Sequence, residues 1–497
     1  MIKIYFQFVF ILLLSLSGLH STAQTNYGSV YADTNNLYII KVQGTHYQRG
    51  FAQGELLGSR ITDIMQNYVK PSFGAVSIYN QVRSVVAAGN VFVIDSLFIV
   101  EAKALIDGMN SVGSNSANLD YIDILLSNSI LDIKSIMQAK GGIECSSLMS
   151  WGSATASSAM NGKSVISRHL DWVNNSVLTR NQVMVIHIPS ETNEQAWAEI
   201  GFAGMISVLS GFNANLGVFQ HMMSDDLGHG TMSGSYEPIW FTLRKAIERI
   251  DPNQDGNNNV SDLKFYINQQ SQGYADGYII SALAKSTEIN DSLIALVAEI
   301  ASNSPTITYR SNSFLDSIPN DNLYTANNQI ARNNSMNFCN RYNGVRNNIG
   351  NGTSMSLANN RTLMKNYSYL VTNYQFMTFA PEMNLFRVSI RNTNPAYSNP
   401  YFDLDISNMF SSNVSIDDTQ HHQKIFKIYP NPANTSITLL IDAKTFHLRV
   451  SNIIGKIVID KQMNSTNLDI SHLANGIYNI QIIDKDNHYM VSSFIKE

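Results

Sequence analysis

Apolar and polar positions change their spacing several times along the chain, and each change predicts a different kind of element. Apolar side chains dominate from Phe6 to Leu16, behind Lys3 and ahead of the small residues Ser21-Thr22-Ala23. That pattern predicts a secretory signal over residues 1–23. Leu37-Tyr38-Ile39-Ile40-Lys41-Val42 predicts a strand, and helical periodicity follows around Ile61–Met65 and Phe98–Leu105. Strands are expected again at Gln182–Ile188 and Gly217–His221. A late hairpin joins Met377–Phe379 to Leu385–Ile390 across Ala380-Pro381-Glu382-Met383-Asn384. Residues 403–424 are polar and predict a linker. From residue 425 the texture shifts to short, closely spaced strands, Ile437–Ile441, Phe446–Val450, Lys456–Asp460, Ile477–Ile483 and Tyr489–Ile495, the spacing of a small all-β sandwich.

A length of 497 residues implies two or three domains. The 44% hydrophobic content supports a large core. A net charge of −5 argues against nucleic acid or an anionic membrane as partner. Beyond the leader no segment offers the roughly 18 apolar residues of a membrane span. The two cysteines are Cys145 and Cys339. Export would permit a disulfide, but Cys145 has a better use as a nucleophile, and Cys339 reads as a small buried hydrophobe.

Cys145 stands ahead of the turn Met160-Asn161-Gly162-Lys163, an apolar strand and the cluster Arg168-His169-Leu170-Asp171-Trp172. A thiol must become a thiolate before it attacks a carbonyl. If the chain is cut before Cys145, the new α-amine, with an unperturbed pKa of about 7.7–8.0, can take the thiol proton. Arg168 could then reach the thiolate, and Asp171 could hold the ammonium. The alternative for this pair is a surface ion pair of little energetic consequence.

The stretch with Gly44, Tyr47, Arg49-Gly50 and Gln53-Gly54, taken with Cys145 and the 168–172 cluster, makes region 37–395 resemble the penicillin acyltransferase family and its bile-salt-hydrolase relatives. These are N-terminal-nucleophile hydrolases. The resemblance implies an α+β fold, a four-layer αββα sandwich, with self-cleavage between Glu144 and Cys145. Residues 24–144 would then be the N-terminal part and 145–402 the nucleophile-bearing part. It further implies hydrolysis of a linear amide bond in a small N-acyl amide, or transfer of the acyl group, without a catalytic cofactor. Gly211-Phe212-Asn213 resembles the family's Gly-x-Asn turn, which supplies an oxyanion donor; Gly217 comes one residue late, so Asn213 and Asn215 both stay open. Thr325-Ala326-Asn327-Asn328 and Cys339-Asn340-Arg341-Tyr342 resemble two later segments, which makes Asn327 and Arg341 site residues by resemblance. Trp151 and Trp172 are assigned to core packing rather than to an acyl pocket.

In the tail, Ile428-Tyr429-Pro430-Asn431-Pro432-Ala433, Val450-Ser451-Asn452-Ile453-Ile454-Gly455-Lys456, Leu473-Ala474-Asn475-Gly476-Ile477-Tyr478 and Phe494-Ile495-Lys496-Glu497 resemble the C-terminal sorting domain of the type IX secretion system. That resemblance implies a domain over 425–497, type IX secretion machinery as a partner, and a secreted or cell-surface protein.

Residues 251–262 form an insert with oxygen ligands at the positions of an EF-hand-like loop: Asp251, Asn253, Asp255, Asn257 and Asp262, with Gly256 at the turn. This predicts a structural calcium ion between a helix ending near Ile250 and one beginning near Leu263. Two other functions compete with the amidase. One is a cysteine–histidine peptidase using His169 or His221; the other is a non-catalytic surface-binding protein.

Overall fold

The computed structural model describes residues 24–25, 27–34, 37–137, 144–222, 230–270, 273–286, 293–301, 306–311, 318–331, 339–411, 424–425, 427–441, 445–452, 457–484 and 489–497. The expected leader 1–23 and residues 412–423 of the expected linker lie outside them. The chain divides into two units, Met1–Ser412 and Asn413–Glu497.

The first unit begins with strands β1 (Gln24–Thr25), β2 (Gly28–Thr34), β3 (Leu37–Gly44), β4 (Glu144–Ser150), β5 (Val165–Asp171), β6 (Gln182–Pro189), β7 (Trp197–Phe202) and β8 (Ser210–Asn213). It continues with β9 (Leu216–Met222), β10 (Tyr278–Ala284), β11 (Ala295–Ile300), β12 (Ile307–Arg310), β13 (Asn322–Thr325), β14 (Asn373–Ala380), β15 (Leu385–Ile390) and β16 (Phe402–Asp405). One sheet has ten strands in the order β1-β2-β3-β6-β7-β8-β9-β10-β11-β12, and a second has six in the order β13-β4-β5-β14-β15-β16. This is a mixed α+β architecture. The helix His46–Ile64 packs on β3, the helices Ile239–Glu248 and Val260–Gln269 pack on β8 to β11, and the helix Leu357–Tyr367 packs on β4 and β5. Across the sheets β4 meets β9. The near-continuous apolar runs of β3 and β6 are those of strands covered on both faces.

The glycines of the N-terminal motif have a packing role. The helix His46–Ile64 opens with a capping box between Thr45 and Gln48 and lies tightly on the helix Ser96–Ser111. A Cβ at Gly50 or Gly54 would collide with the backbone carbonyl oxygens of Glu101 and Leu105. The small residues at this spacing bring the two backbones together.

The linker starts later than its polarity predicts. Residues 402–405 form β16, paired to β15, and Ile406 and Met409 of the short helix after it are buried. Phe402-Asp403-Leu404-Asp405 alternates as a half-exposed edge strand, and that alternation reads as polarity in the sequence.

The second unit is all-β, with β17 (Lys424–Ile425), β18 (Lys427–Tyr429), β19 (Ser436–Leu440), β20 (Phe446–Asn452), β21 (Ile457–Met463), β22 (Asn467–Asp469), β23 (Gly476–Asp484) and β24 (Tyr489–Lys496). A five-stranded sheet, β17-β24-β23-β20-β21, and a three-stranded sheet, β18-β19-β22, share an apolar core that includes Ile437, Leu448, Val450, Ile480 and Phe494. Among the described residues no helix is long and apolar enough to cross a membrane.

Candidate active site

Cys145 sits near the start of β4, between β13 and β5. It is paired with Leu170, and Ser147 with Arg168. Residues directly opposite share a face, and the face repeats every second residue. Cys145, Ser147 and Arg168 therefore all point toward the first sheet. Arg168 Nη2 donates to Cys145 Sγ at 3.4 Å and to the Gln220 carbonyl at 2.9 Å, while Nη1 donates to Ser210 Oγ at 2.8 Å. The guanidinium is fully buried, and among the described residues no carboxylate lies in ion-pair contact with it. The thiol is thus the group beside it that can become an anion. Burial pushes the Cys145 thiol up; the Arg168 charge pulls it back, Asp171 opposes that pull, and the Asp171 backbone N–H and Arg341 assist it.

The other side of Cys145 faces a separate set of polar groups. Its backbone N–H donates to Asn327 Oδ1 at 3.2 Å. Arg341 donates to the same oxygen through Nη2 at 2.7 Å and to the Cys145 carbonyl through Nη1 at 3.2 Å. Arg341 also lies 3.6 Å from Glu144 Oε2 and 3.9 Å from Asp171 Oδ2. Asp171 is the strand partner of Glu144. Its Oδ1 accepts from Asn373 Nδ2 at 3.0 Å, and its Oδ2 is buried with no hydrogen-bond donor among the described residues. Burial pushes Asp171 up to about 7, against the pull of Arg341, Asn373 and Arg168. The structure thus gathers Cys145, Arg168, Asp171, Asn327 and Arg341 around the Glu144–Cys145 linkage.

Asn213 is not in this group, which corrects its expected place. Its Oδ1 accepts from the backbone N–H of Asn215 and Leu216, each at 2.8 Å, and its Nδ2 donates to the Ile247 carbonyl at 3.0 Å and to Asn258 at 3.4 Å. It closes the β8–β9 turn and ties that turn to a helix end; Asn215 is part of the same turn. Both tryptophans are buried: Trp151 is fully enclosed, and Trp172 donates to the Tyr68 hydroxyl at 2.7 Å. Among the described residues neither histidine hydrogen-bonds the Cys145 sulfur, although His221 lies against the Cys145 backbone. His169 donates toward the Met364 carbonyl, stacks on Phe376, and is lowered by burial to about 3. His221 Nε2 lies between the Ser147 and Ser281 hydroxyls, and burial holds it well below its usual value. Both cysteines are free thiols.

The loop 251–262 is held by its own hydrogen bonds. Asp251 accepts from the N–H groups of Asp255 and Gly256, each at 2.9 Å. Asp255 accepts from Asn257 N–H and Ser261 Oγ and from Asn253 Nδ2. Asp262 accepts from the Asn259 N–H at 3.1 Å, in the box that caps the helix Val260–Gln269. The carboxylates of Asp251, Asp255 and Asp262 do not converge on one point in this arrangement.

The group among the described residues that does converge is His46, Glu191 and Glu194, and it belongs to a buried charge lattice. His46 bridges Glu101 at 2.7 Å and Glu194 at 3.0 Å. Arg49 pairs with Glu191, Glu194 and Glu248, Arg244 with Glu101 and Glu248, and Arg249 with Glu194. The three arginines and a protonated His46 balance the four carboxylates, so these ligand atoms are already engaged in ion pairs. The sequence reading did not find this lattice, nor Asn373.

Residues 427–497 match the family model described as a secretion system C-terminal sorting domain. The C-terminal unit is a sorting domain. It marks the protein for export, to the medium or the cell surface, and the type IX machinery is its partner. The chain is also similar to protein dcd1A of Dictyostelium discoideum, 26% identical over 243 residues that cover 45% of this chain and 53% of that protein. Protein dcd1B of the same organism is 22% identical over 238 residues, 46% of each. The chain thus spans about half the length of the curated relatives it matches. Among solved structures it is similar to a Caenorhabditis elegans ortholog of N-acylethanolamine-hydrolyzing acid amidase, at 13% identity and a TM-score of 0.34, over 48% of this chain and 93% of that one. PorZ, a surface component of the type IX secretion system of Porphyromonas gingivalis, is similar at 10% identity and a TM-score of 0.13, over 45% of this chain and 37% of that one.

Proposed function

We propose that the first unit is an exported N-terminal-nucleophile amidase that cuts itself before Cys145 and then cleaves a linear, non-peptide amide bond in a small N-acyl amide. On this reading the two sheets and their helices are a four-layer αββα sandwich, which the β4–β9 contact and the helices on either side support. The observation that carries the proposal is the arrangement at Cys145: a buried cation 3.4 Å from the sulfur and, on β5 opposite Glu144, the buried Asp171 carboxylate, whose Oδ2 has no donor among the described residues.

Self-cleavage begins when Sγ attacks the Glu144 carbonyl carbon. The C–N bond to Cys145 breaks, and the thiol proton passes to that nitrogen, giving a thioester from Glu144 to Sγ. Water then splits the thioester into the Glu144 carboxyl group and a free Cys145 thiol. In turnover the new α-amine takes the thiol proton, Arg168 stabilises the thiolate, and Asp171 stabilises the ammonium. The thiolate attacks the substrate carbonyl, the amine product leaves with the proton, and an acyl-thioester remains for water, or for a second amine if the acyl group is transferred. We assign the oxyanion donor to the Asn327 amide, whose Oδ1 is held by Arg341 at 2.7 Å and whose Nδ2 donates to the Met222 carbonyl at 2.6 Å, rather than to Asn213, whose amide serves the β8–β9 turn.

Intact mass and N-terminal sequencing of the secreted protein test the proposal. The wild type should yield a fragment beginning at Cys145, and Cys145→Ala should stay joined across residues 144 and 145. The two fragments should stay together under native conditions, because β3 from before the cut is paired along its length with β6 from after it. A wild type that hydrolyses N-acyl amides with the Glu144–Cys145 bond unbroken would refute the mechanism.

A further inference from the structure

Asn373 opens β14 at a register shift. Gln375 pairs with Leu170, and the next pair is Asn373 with Asp171, so Tyr374 is the extra residue of a β-bulge. Bulges re-aim side chains beside functional sites. Tyr374 is turned away, its hydroxyl engaging Val173 and Asn175 backbone groups, while Asn373 is brought level with Asp171. Asn373 is fully buried. Its Nδ2 donates to Asp171 Oδ1 at 3.0 Å, with the Leu170 and Gln375 carbonyls at 3.2 and 3.1 Å, and its Oδ1 accepts from the Tyr397 N–H at 2.9 Å. A carboxylate held at one oxygen has a fixed plane. The other oxygen, Asp171 Oδ2, is then a buried acceptor without a donor among the described residues, and Arg341 lies 3.9 Å from it.

We propose that Asn373 is a positioning residue for the chemistry at Cys145: it pins Asp171 Oδ1 so that Oδ2 receives the ammonium formed at the new N-terminus. The inference rests on the self-cleavage reading. The charged and titratable groups facing Asp171 are Arg341 from the helix Asn340–Asn348, Arg168 on its own strand, and Glu144 and Cys145 on β4. His169, which also lies against Asn373, is neutral there. With Asn373 donating, Asp171 is favoured as a carboxylate. The carboxylate favours the ammonium, and the ammonium with Arg168 favours the thiolate.

The experiment uses cleaved protein labelled with 13C at the cysteine Cβ, titrated by NMR, with the Cys145 resonance assigned by its loss in Cys145→Ser. Two variants are compared. Asn373→Ala removes both hydrogen-bonding functions; Asn373→Asp keeps the size and the acceptor for Tyr397 but deletes the donor to Asp171. In both, the Cys145 inflection should rise by about one pH unit, about tenfold less thiolate at neutral pH. A purely structural residue would lower the melting temperature of Asn373→Ala and leave the inflection of Asn373→Asp at the wild-type position, and that result overturns the inference while leaving the amidase reading in place. A wild type that is never cleaved before Cys145 overturns both.

Discussion

Glu101→Gln removes one charge from the buried lattice that joins residues on both sides of the proposed cut. Glu101 Oε2 accepts from His46 Nδ1 at 2.7 Å and from Arg244 Nη2 at 2.6 Å. The described lattice pairs His46, Arg49, Arg244 and Arg249 with Glu101, Glu191, Glu194 and Glu248, four cations against four anions once His46 is protonated. His46, Arg49, Arg244, Glu101, Glu194 and Glu248 are all buried, so the substitution leaves one positive charge in excess where water cannot screen it. Breaking a buried pair in this way costs about 3–5 kcal/mol, a large part of the roughly 5–15 kcal/mol by which folded proteins are stable. At about 2–4 °C per kcal/mol, the scale for domains of 150–250 residues, the melting temperature should fall by roughly 6–20 °C.

The pH dependence makes this prediction sharper. Burial by itself would lower His46, but its hydrogen bonds to Glu101 and Glu194 raise it to about 9. A group whose folded value lies above its unfolded value stabilises fully below the unfolded value, about 6.5 for histidine, and that contribution is lost as pH rises through the folded value. Without Glu101 the imidazolium gives up its proton earlier, which removes the excess charge. The gap between wild type and variant should therefore be full below about pH 6.5 and should narrow as pH rises toward about 9.5. Calorimetry of both chains, each carrying Cys145→Ala so that neither is cut, measures the gap. Equal melting temperatures near neutral pH, or a gap that widens with pH, would refute the argument that charge balance holds this lattice together.

Arg168→Gln should slow self-cleavage by at least about a hundredfold: a full charge 3.4 Å from the sulfur is worth up to ~5 kcal/mol at an effective dielectric of ~20, and part of that is recovered by relaxation. The fraction cleaved against time, on denaturing gels, measures it, and wild-type kinetics would remove Arg168 from the mechanism. Adding calcium or a chelator should leave the melting temperature unchanged, because the oxygens of Asp251, Asp255 and Asp262 already serve turn and cap hydrogen bonds. A calcium-dependent rise abolished by Asp251→Asn would show that the loop opens into a cage.

The parts of this site that can be read in the sequence are those whose geometry is local. Arg168 and Asp171 lie on one strand, and a strand's two-residue period, together with a hairpin back to Cys145, fixes which of them shares the thiol's face. The sorting domain is legible for a similar reason, since its short strands and turn motifs follow one another in order. Asn213 shows where local pattern fails. A Gly-x-Asn turn satisfies its own N–H groups through the asparagine side chain wherever it occurs; whether that side chain also meets a substrate depends on where β8 ends, and here it ends against the helix Ile239–Glu248. The glycines at 50 and 54 can be read as a motif, but their cause is a second helix that follows them in the chain. The charge lattice is hidden more deeply, because its members come from segments far apart and charged residues are ordinarily surface residues. Asn373 is hidden by a single extra residue. Regular pairing would set Tyr374 opposite Asp171, and the bulge substitutes an amide donor for a phenol at the one point where a carboxylate needs holding. A strand's identity can therefore be legible while its chemistry is not, since one shift of register decides which side chain the site receives.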